Sequence, residues 1–112
     1  MIHYKNKEEI ELMRESALLV SKTLGMLAEI IDEGVTPNLL DKRAEEFIRD
    51  HHADPGFLGL YDCPSTLLIS INEAVVHGLP TDKPLKNGDI VSIDCGVRKN
   101  KFYGDHAYTF HI

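Results

Sequence analysis

The stretch from Asp89 to Phe110, DIVSIDCGVRKNKFYGDHAYTF, constrains the fold more than any other. It reads as two β-strands joined by a tight turn, with one Asp in the middle of each. The first strand, Asp89 to Val97, is rich in Ile and Val, and the second, Lys101 to Phe110, is rich in aromatics. Arg98-Lys99-Asn100-Lys101 lies between them. With Lys99 and Asn100 as the two loop residues, a two-residue hairpin pairs Arg98 with Lys101 and Asp94 with Asp105. Asn100 tolerates the positive φ that a type I′ turn needs. Directly opposed residues of an antiparallel pair share a face, with Cβ atoms about 4.5–5.5 Å apart. Two carboxylates so placed repel, and either a proton or a cation relieves them. Two readings follow: a divalent metal held between Asp94 and Asp105, or an ionised, idle acidic pair on a wet hairpin face.

The rest of the chain narrows the class. A length of 112 residues suits one domain spanning 1–112. A net charge of −6 argues against nucleic acid or an anionic membrane as the main partner. No apolar run is long enough to span a membrane, and the N-terminus carries no signal-like segment. Cys63 and Cys95 are too few and too scattered for a disulfide framework, so a reducing cytoplasm is the expected location.

In chain order, Asn6 with Glu9 forms a capping box. Ile10, Met13, Ala17, Val20, Leu24, Leu27 and Ile31 then follow at helical spacing, and Gly34 is the expected stop. Thr36-Pro37 opens a second helix, with Leu40, Ala44, Phe47 and Ile48 inward and Glu45, Glu46, Arg49 and Asp50 outward. The adjacent His51 and His52 point in different directions and read as surface residues. Asp54 to Pro64 is a loop by its Pro and Gly content, yet apolar enough to line a pocket or cover the core. Ser65 to Ile71 is a strand, Asn72-Glu73 interrupts it, and Ala74 to His77 is extended. A turn follows at Gly78 to Asp82. On spacing alone, His77 reads as a structural strand-end residue.

Together these residues carry a family resemblance. Ser70-Ile71-Asn72-Glu73, Val75-Val76-His77-Gly78 and Pro80, then Leu85-Lys86, Gly88-Asp89-Ile90-Val91, Ile93-Asp94 and Tyr103-Gly104-Asp105, resemble the motifs of type I methionine aminopeptidases. Gly34 to Pro37 and the Phe57–Gly59 step fit the same family, and the likeness covers nearly the whole chain.

The resemblance implies an α/β (α+β) chain forming half of a pita-bread fold: two helices on an antiparallel sheet that contains the Asp94/Asp105 hairpin. It implies metal-dependent hydrolytic removal of the N-terminal methionine of nascent peptides, with two divalent metal ions of the Co, Mn, Fe, Zn or Ni class. Asp94 and Asp105 match the two metal-binding Asp of the family's first half. His77 matches the His that touches substrate and stabilises the scissile peptide. Phe57, Leu60, Cys63 and Leu68 fall where the family builds part of the methionine pocket. Leu60 and Cys63 stand where members often carry aromatic residues, and His106 where they usually carry a small hydroxyl residue. By strand alternation His106 faces away from Asp105 and is not assigned to the metal. The family's second half supplies the remaining His and Glu ligands, and this chain has no counterpart to it. The chain is therefore expected to be the N-terminal half, incomplete for catalysis alone, with an apolar face and sheet edge on which a second copy forms a homodimer. Two other readings are a non-catalytic half-pita-bread module that self-associates or binds peptides, and an Xaa-Pro peptidase relative.

Overall fold

The computed structural model describes residues 6–57, 65–72 and 78–112. Helix α1 runs Lys7–Ile30 and helix α2 Pro37–Asp50. Four strands follow: β1 (Asp54–Pro55), β2 (Leu67–Ile71), β3 (Ile90–Lys99) and β4 (Phe102–His111). All pairing is antiparallel. β3 lies at the centre, with β4 along one side and β2 and β1 sharing the other. Both helices cover one face of this sheet.

The capping box at Asn6 forms as expected: its side chain accepts from the Glu9 backbone N–H at 2.8 Å, and Glu9 accepts from the Asn6 backbone N–H at 3.3 Å. The Thr36 cap of α2 also forms, with Pro37 behind it. Gly34 does not stop α1. The helix ends at Ile30 with Ile31 extended, and Gly34 turns the chain three residues later at φ +88°, where its N–H bonds Leu85.

The buried stripe of α1 is rotated from the expected one. Leu19, Val20, Leu24 and Leu27 are buried, but Ser16 and Thr23 join them, while Ile10 (49% exposed) and Met13 (36%) face outward. Ser16 is inside because its hydroxyl donates to the carbonyls of Phe102 (2.9 Å) and Lys99 (3.3 Å) at the hairpin turn. Asn100 adds a bond from its side-chain amide to Glu15 at 2.9 Å. A Cβ on Gly104 would lie only 3.0 Å from the backbone of Ser16 and Ala17, so glycine there lets α1 lie directly on β4.

These contacts accompany a correction to the register. The turn residues are Asn100 and Lys101, with φ +54° and +70°, and not Lys99 and Asn100. Asn takes the first positive-φ position of a type I′ turn, where it is favoured, and Lys99 stays in β3. Lys99 therefore pairs with Phe102, Gly96 with Asp105 and Asp94 with Ala107. β1 is the other departure, because Asp54-Pro55 within the expected loop pairs with Arg98 and Val97. Pro is tolerated there because β1 is an edge.

The core lies between sheet and helices. Leu40, Ala44 and Ile48 of α2 meet Leu67 and Ile69 of β2 and Val91, Ile93, Cys95 and Val97 of β3. Asp41 on α2 accepts the Leu67 N–H at 2.7 Å and so fastens the start of β2. Burial pushes its carboxyl above the ordinary carboxylate value, although hydrogen bonds from the Leu67 and Thr66 backbone oppose this. No helix among the described residues is long and apolar enough to cross a membrane.

Because Asp41 is harder to ionise folded than unfolded, its contribution to stability is fullest below the unfolded value and declines as pH rises through the folded one. Asp41→Asn keeps an acceptor and removes the charge. In thermal melts the variant is expected to unfold at a higher temperature than the parent at neutral pH and at the same temperature in acid. A lower melting point at neutral pH would contradict this.

Candidate metal centre

Strand alternation sorts the hairpin into two faces. Val91, Ile93, Cys95 and Val97, with Phe110, Tyr108, His106 and Gly104 opposite them, face the helices. Ser92, Asp94 and Gly96, with Thr109, Ala107 and Asp105 opposite, face away from them. β2 adds Leu68 opposite Asp94 and Ser70 opposite Ser92. The Ser92 and Thr109 hydroxyls meet at 3.2 Å across this second face.

Asp94 and Asp105 thus share the open face, but diagonally rather than directly opposed. Such neighbours lie about 7–8 Å apart. That separation removes the clash expected of facing carboxylates and leaves room for an ion between them. Asp94 is half-buried and Asp105 exposed. Burial raises the Asp94 carboxyl above its ordinary value, the charge of Asp105 raises it further, and His106 partly offsets the two. Two hard carboxylate oxygen donors whose charges oppose each other suit a divalent cation. Among the described residues, no group of three or more His, Cys, Asp or Glu side chains stands ready to hold one.

The apolar neighbours are built around Gly96. A Cβ there would fall 2.8 Å from the Phe57 ring, so the ring packs directly against Gly96, which pairs with Asp105 and lies two residues from Asp94. Gly96 thus lies under Phe57, as Gly104 lies under α1. A concavity of about 370 Å³ opens beside Asp94, lined by Leu68, Ser70, Gly78, Ser92 and Ala107 among others. Of the residues expected at the site, Asp94, Asp105, Phe57 and Leu68 come together on this face. Leu60, Cys63 and His77 lie outside the described residues.

The nearest described residues before and after His77, Asn72 and Gly78, are both hydrogen-bonded into the sheet. Asn72 adopts φ +56°, gives its N–H to Ile90, and accepts the Ile90 N–H on its side chain at 2.9 Å. Its amide also donates to Asp89 at 3.1 Å. Asp89 takes the Lys86 N–H at 2.9 Å, and that bond, with the one from Asn72, holds its carboxyl below the ordinary value. Beyond His77, the Gly78 carbonyl accepts the Ile69 N–H, and Gly78 lines the concavity of Asp94. Sequence reasoning read Asn72 only as an interruption. Asn ending one strand with Asp opening the next was the signal for this clasp.

Two side chains are set aside by geometry. Cys95 is buried on the helix side, and burial and the nearby carboxylates push its thiol up to about 12, so it is neither a ligand nor a nucleophile. His106 lies opposite Cys95, on the face away from Asp105, as alternation requires.

Against known proteins, the model of metallopeptidase family M24 matches residues 11–112. The chain is 50% identical over 112 residues to a methionine aminopeptidase of Clostridium perfringens, covering 100% of this chain and 45% of that protein. It is 42% identical over 111 residues to one of Helicobacter pylori, covering 99% and 44%. The crystal structure of methionine aminopeptidase from Rickettsia prowazekii superposes with a TM-score of 0.93 at 37% identity, covering 99% of this chain and 45% of that one. The chain spans less than half the length of these relatives.

Titration calorimetry with Mn²⁺ is expected to show binding that weakens with Asp94→Ala and with Asp105→Ala and is lost in the double variant. Asp89→Ala, an acidic change outside the open face, is expected to leave it intact. Binding that survives both site substitutions would contradict the assignment.

Proposed function

The chain belongs to metallopeptidase family M24, and from that premise we propose that residues 1–112 act as one domain, the N-terminal portion of a cytoplasmic methionine aminopeptidase. Its architecture, two helices on an antiparallel sheet, is half of the pita-bread fold. The observation that carries the reading is the open face on which Asp94 and Asp105 stand diagonally beside Phe57 and Leu68. The relatives' name supports the substrate: the N-terminal methionine of nascent peptides.

In this reading Asp94 and Asp105 present carboxylate oxygens to two divalent ions of the Co, Mn, Fe, Zn or Ni class. When bound, such ions supply Lewis acidity that activates water and polarises the scissile carbonyl. Asp105, exposed, and Asp94, half-buried with a raised carboxyl, release their mutual repulsion on binding. Phe57 and Leu68, with Leu60 and Cys63, enclose the methionine side chain and exclude water from it. His77 contacts the peptide and stabilises the charge that develops on its oxygen. Asn72 and Gly78, the nearest described residues before and after it, are anchored to Ile90 and Ile69. The non-substrate partner is a second copy of the chain, and neither nucleic acid nor a membrane is one.

With Mn²⁺ present, the complete protein of which this chain is the N-terminal portion in this reading is expected to release methionine from Met-Ala-Ser in preference to glycine from Gly-Ala-Ser. His77→Ala is expected to lower kcat about 100-fold or more, the cost of removing one stabilising donor. Absence of methionine release by the complete protein with every one of the five metals would overturn the reading.

A further inference from the structure

The asparagines of the chain are Asn6, Asn38, Asn72, Asn87 and Asn100. Four of them have engaged side chains. Asn6 caps α1, Asn38 donates to Asp82 at 2.7 Å, Asn72 bonds Asp89 and Ile90, and Asn100 donates to Glu15. Among the described residues, Asn87 alone leaves its side chain unbonded, and it is exposed. It is also the only one followed by glycine. Asn87 and Gly88 stand in the middle of a turn that the Asp89 N–H closes onto the Lys86 carbonyl at 3.0 Å, with Gly88 at φ +96°. Nothing lies within 4 Å of where a Gly88 Cβ would stand, so no side chain shields its nitrogen from Asn87. That nitrogen is nevertheless held. Its N–H donates to the Ile112 carbonyl at 2.7 Å, and the Ile112 N–H returns a bond to the Asp89 carbonyl at 2.9 Å.

We propose that Asn87-Gly88 is a site of spontaneous deamidation, gated by the bond between Gly88 and Ile112. The proposal is independent of the hydrolytic reading of the open face. Asparagine is among the thermally labile residues, and here its reaction needs only the neighbouring backbone and water. When the Gly88–Ile112 bond opens, the Gly88 nitrogen gives its proton to water and attacks the side-chain carbonyl carbon of Asn87. The new C–N bond closes a cyclic succinimide. The side-chain nitrogen takes up a proton and leaves as ammonia. Water then opens the ring at either carbonyl. Attack at one gives aspartate, and attack at the other gives isoaspartate, in which the main chain runs through the former side-chain carbon. Both products add a negative charge beside Asp89. The isoaspartyl product also adds a methylene to the main chain between Lys86 and Asp89. These two residues are tied twice, because the Asp89 carboxylate also takes the Lys86 N–H at 2.9 Å. The longer chain therefore strains the clasp of Asp89 with Asn72.

The test is to hold the complete protein at mildly alkaline pH, below its unfolding temperature, and to map its peptides by mass spectrometry. The peptide containing Asn87 is expected to gain the mass of OH in place of NH2 and to separate into two isomers, with isoaspartate the more abundant. Asn38, Asn72 and Asn100 are expected to stay intact. Asn87→Gln is expected to abolish the conversion and leave the melting point unchanged, because the larger ring closes far more slowly and the side chain at this position is exposed and unbonded. A free peptide of residues 85–91 is expected to convert faster than the folded protein, by the factor by which the fold protects the Gly88 amide from hydrogen exchange. An Asn87 that stays intact in the folded protein beyond the time set by that factor overturns the proposal. So does conversion as fast in the folded protein as in the peptide while the Gly88 amide is protected.

Discussion

The Ser16 hydroxyl, bonded at once to the carbonyls of Lys99 and Phe102, ties the long helix to the tip of the hairpin. Much else depends on that attachment. It sets the rotation of α1, drawing Ser16 and Thr23 inward and leaving Ile10 and Met13 outside. It needs the bare backbone of Gly104, without which helix and strand would part by the width of a methyl group. It also closes around Asn100-Lys101 and so belongs with one register of β3 and β4. A one-residue slip of one strand would turn half of its side chains to the wrong face.

From that register comes the electrostatics of the open face. Asp94 and Asp105 are near enough to resist each other's ionisation and far enough apart to admit an ion. The same alternation that sends them outward sends Cys95 and His106 toward the helices. The apolar part of the face arises at Gly96, where the missing side chain lets the Phe57 ring pack against the strand. Charge and apolar surface are thus adjacent because a ten-residue strand passes under both.

Much of this was legible in the sequence. The helices, their caps, the hairpin and the sharing of one face by Asp94 and Asp105 follow from local signals: Asn6 with Glu9, Thr36 with Pro37, and two strands of period two. The diagonal placement did not follow. Lys99 and Lys101 compete as partner to Asn100 in the turn, and the contacts that hold the chosen pair come from Ser16 and Glu15, more than eighty residues away. The α1 stripe was misjudged for the same reason, since a buried serine is invisible to an apolar count. β1 was missed because two residues carry no periodicity. The clasp of Asn72 and Asp89 was visible only as an interruption, because a side chain standing in for a strand bond leaves no hydrophobic pattern.

The register is the claim on which the open face rests, and nuclear Overhauser effects between Hα protons test it directly. Only pairs that do not exchange hydrogen bonds bring their Cα atoms to about 4.5 Å. The structure predicts strong Hα–Hα effects between Asp94 and Ala107 and between Gly96 and Asp105. Effects between Cys95 and Gly104 and between Val97 and Phe102 would instead mean that the two carboxylates face each other directly, and would contradict the account.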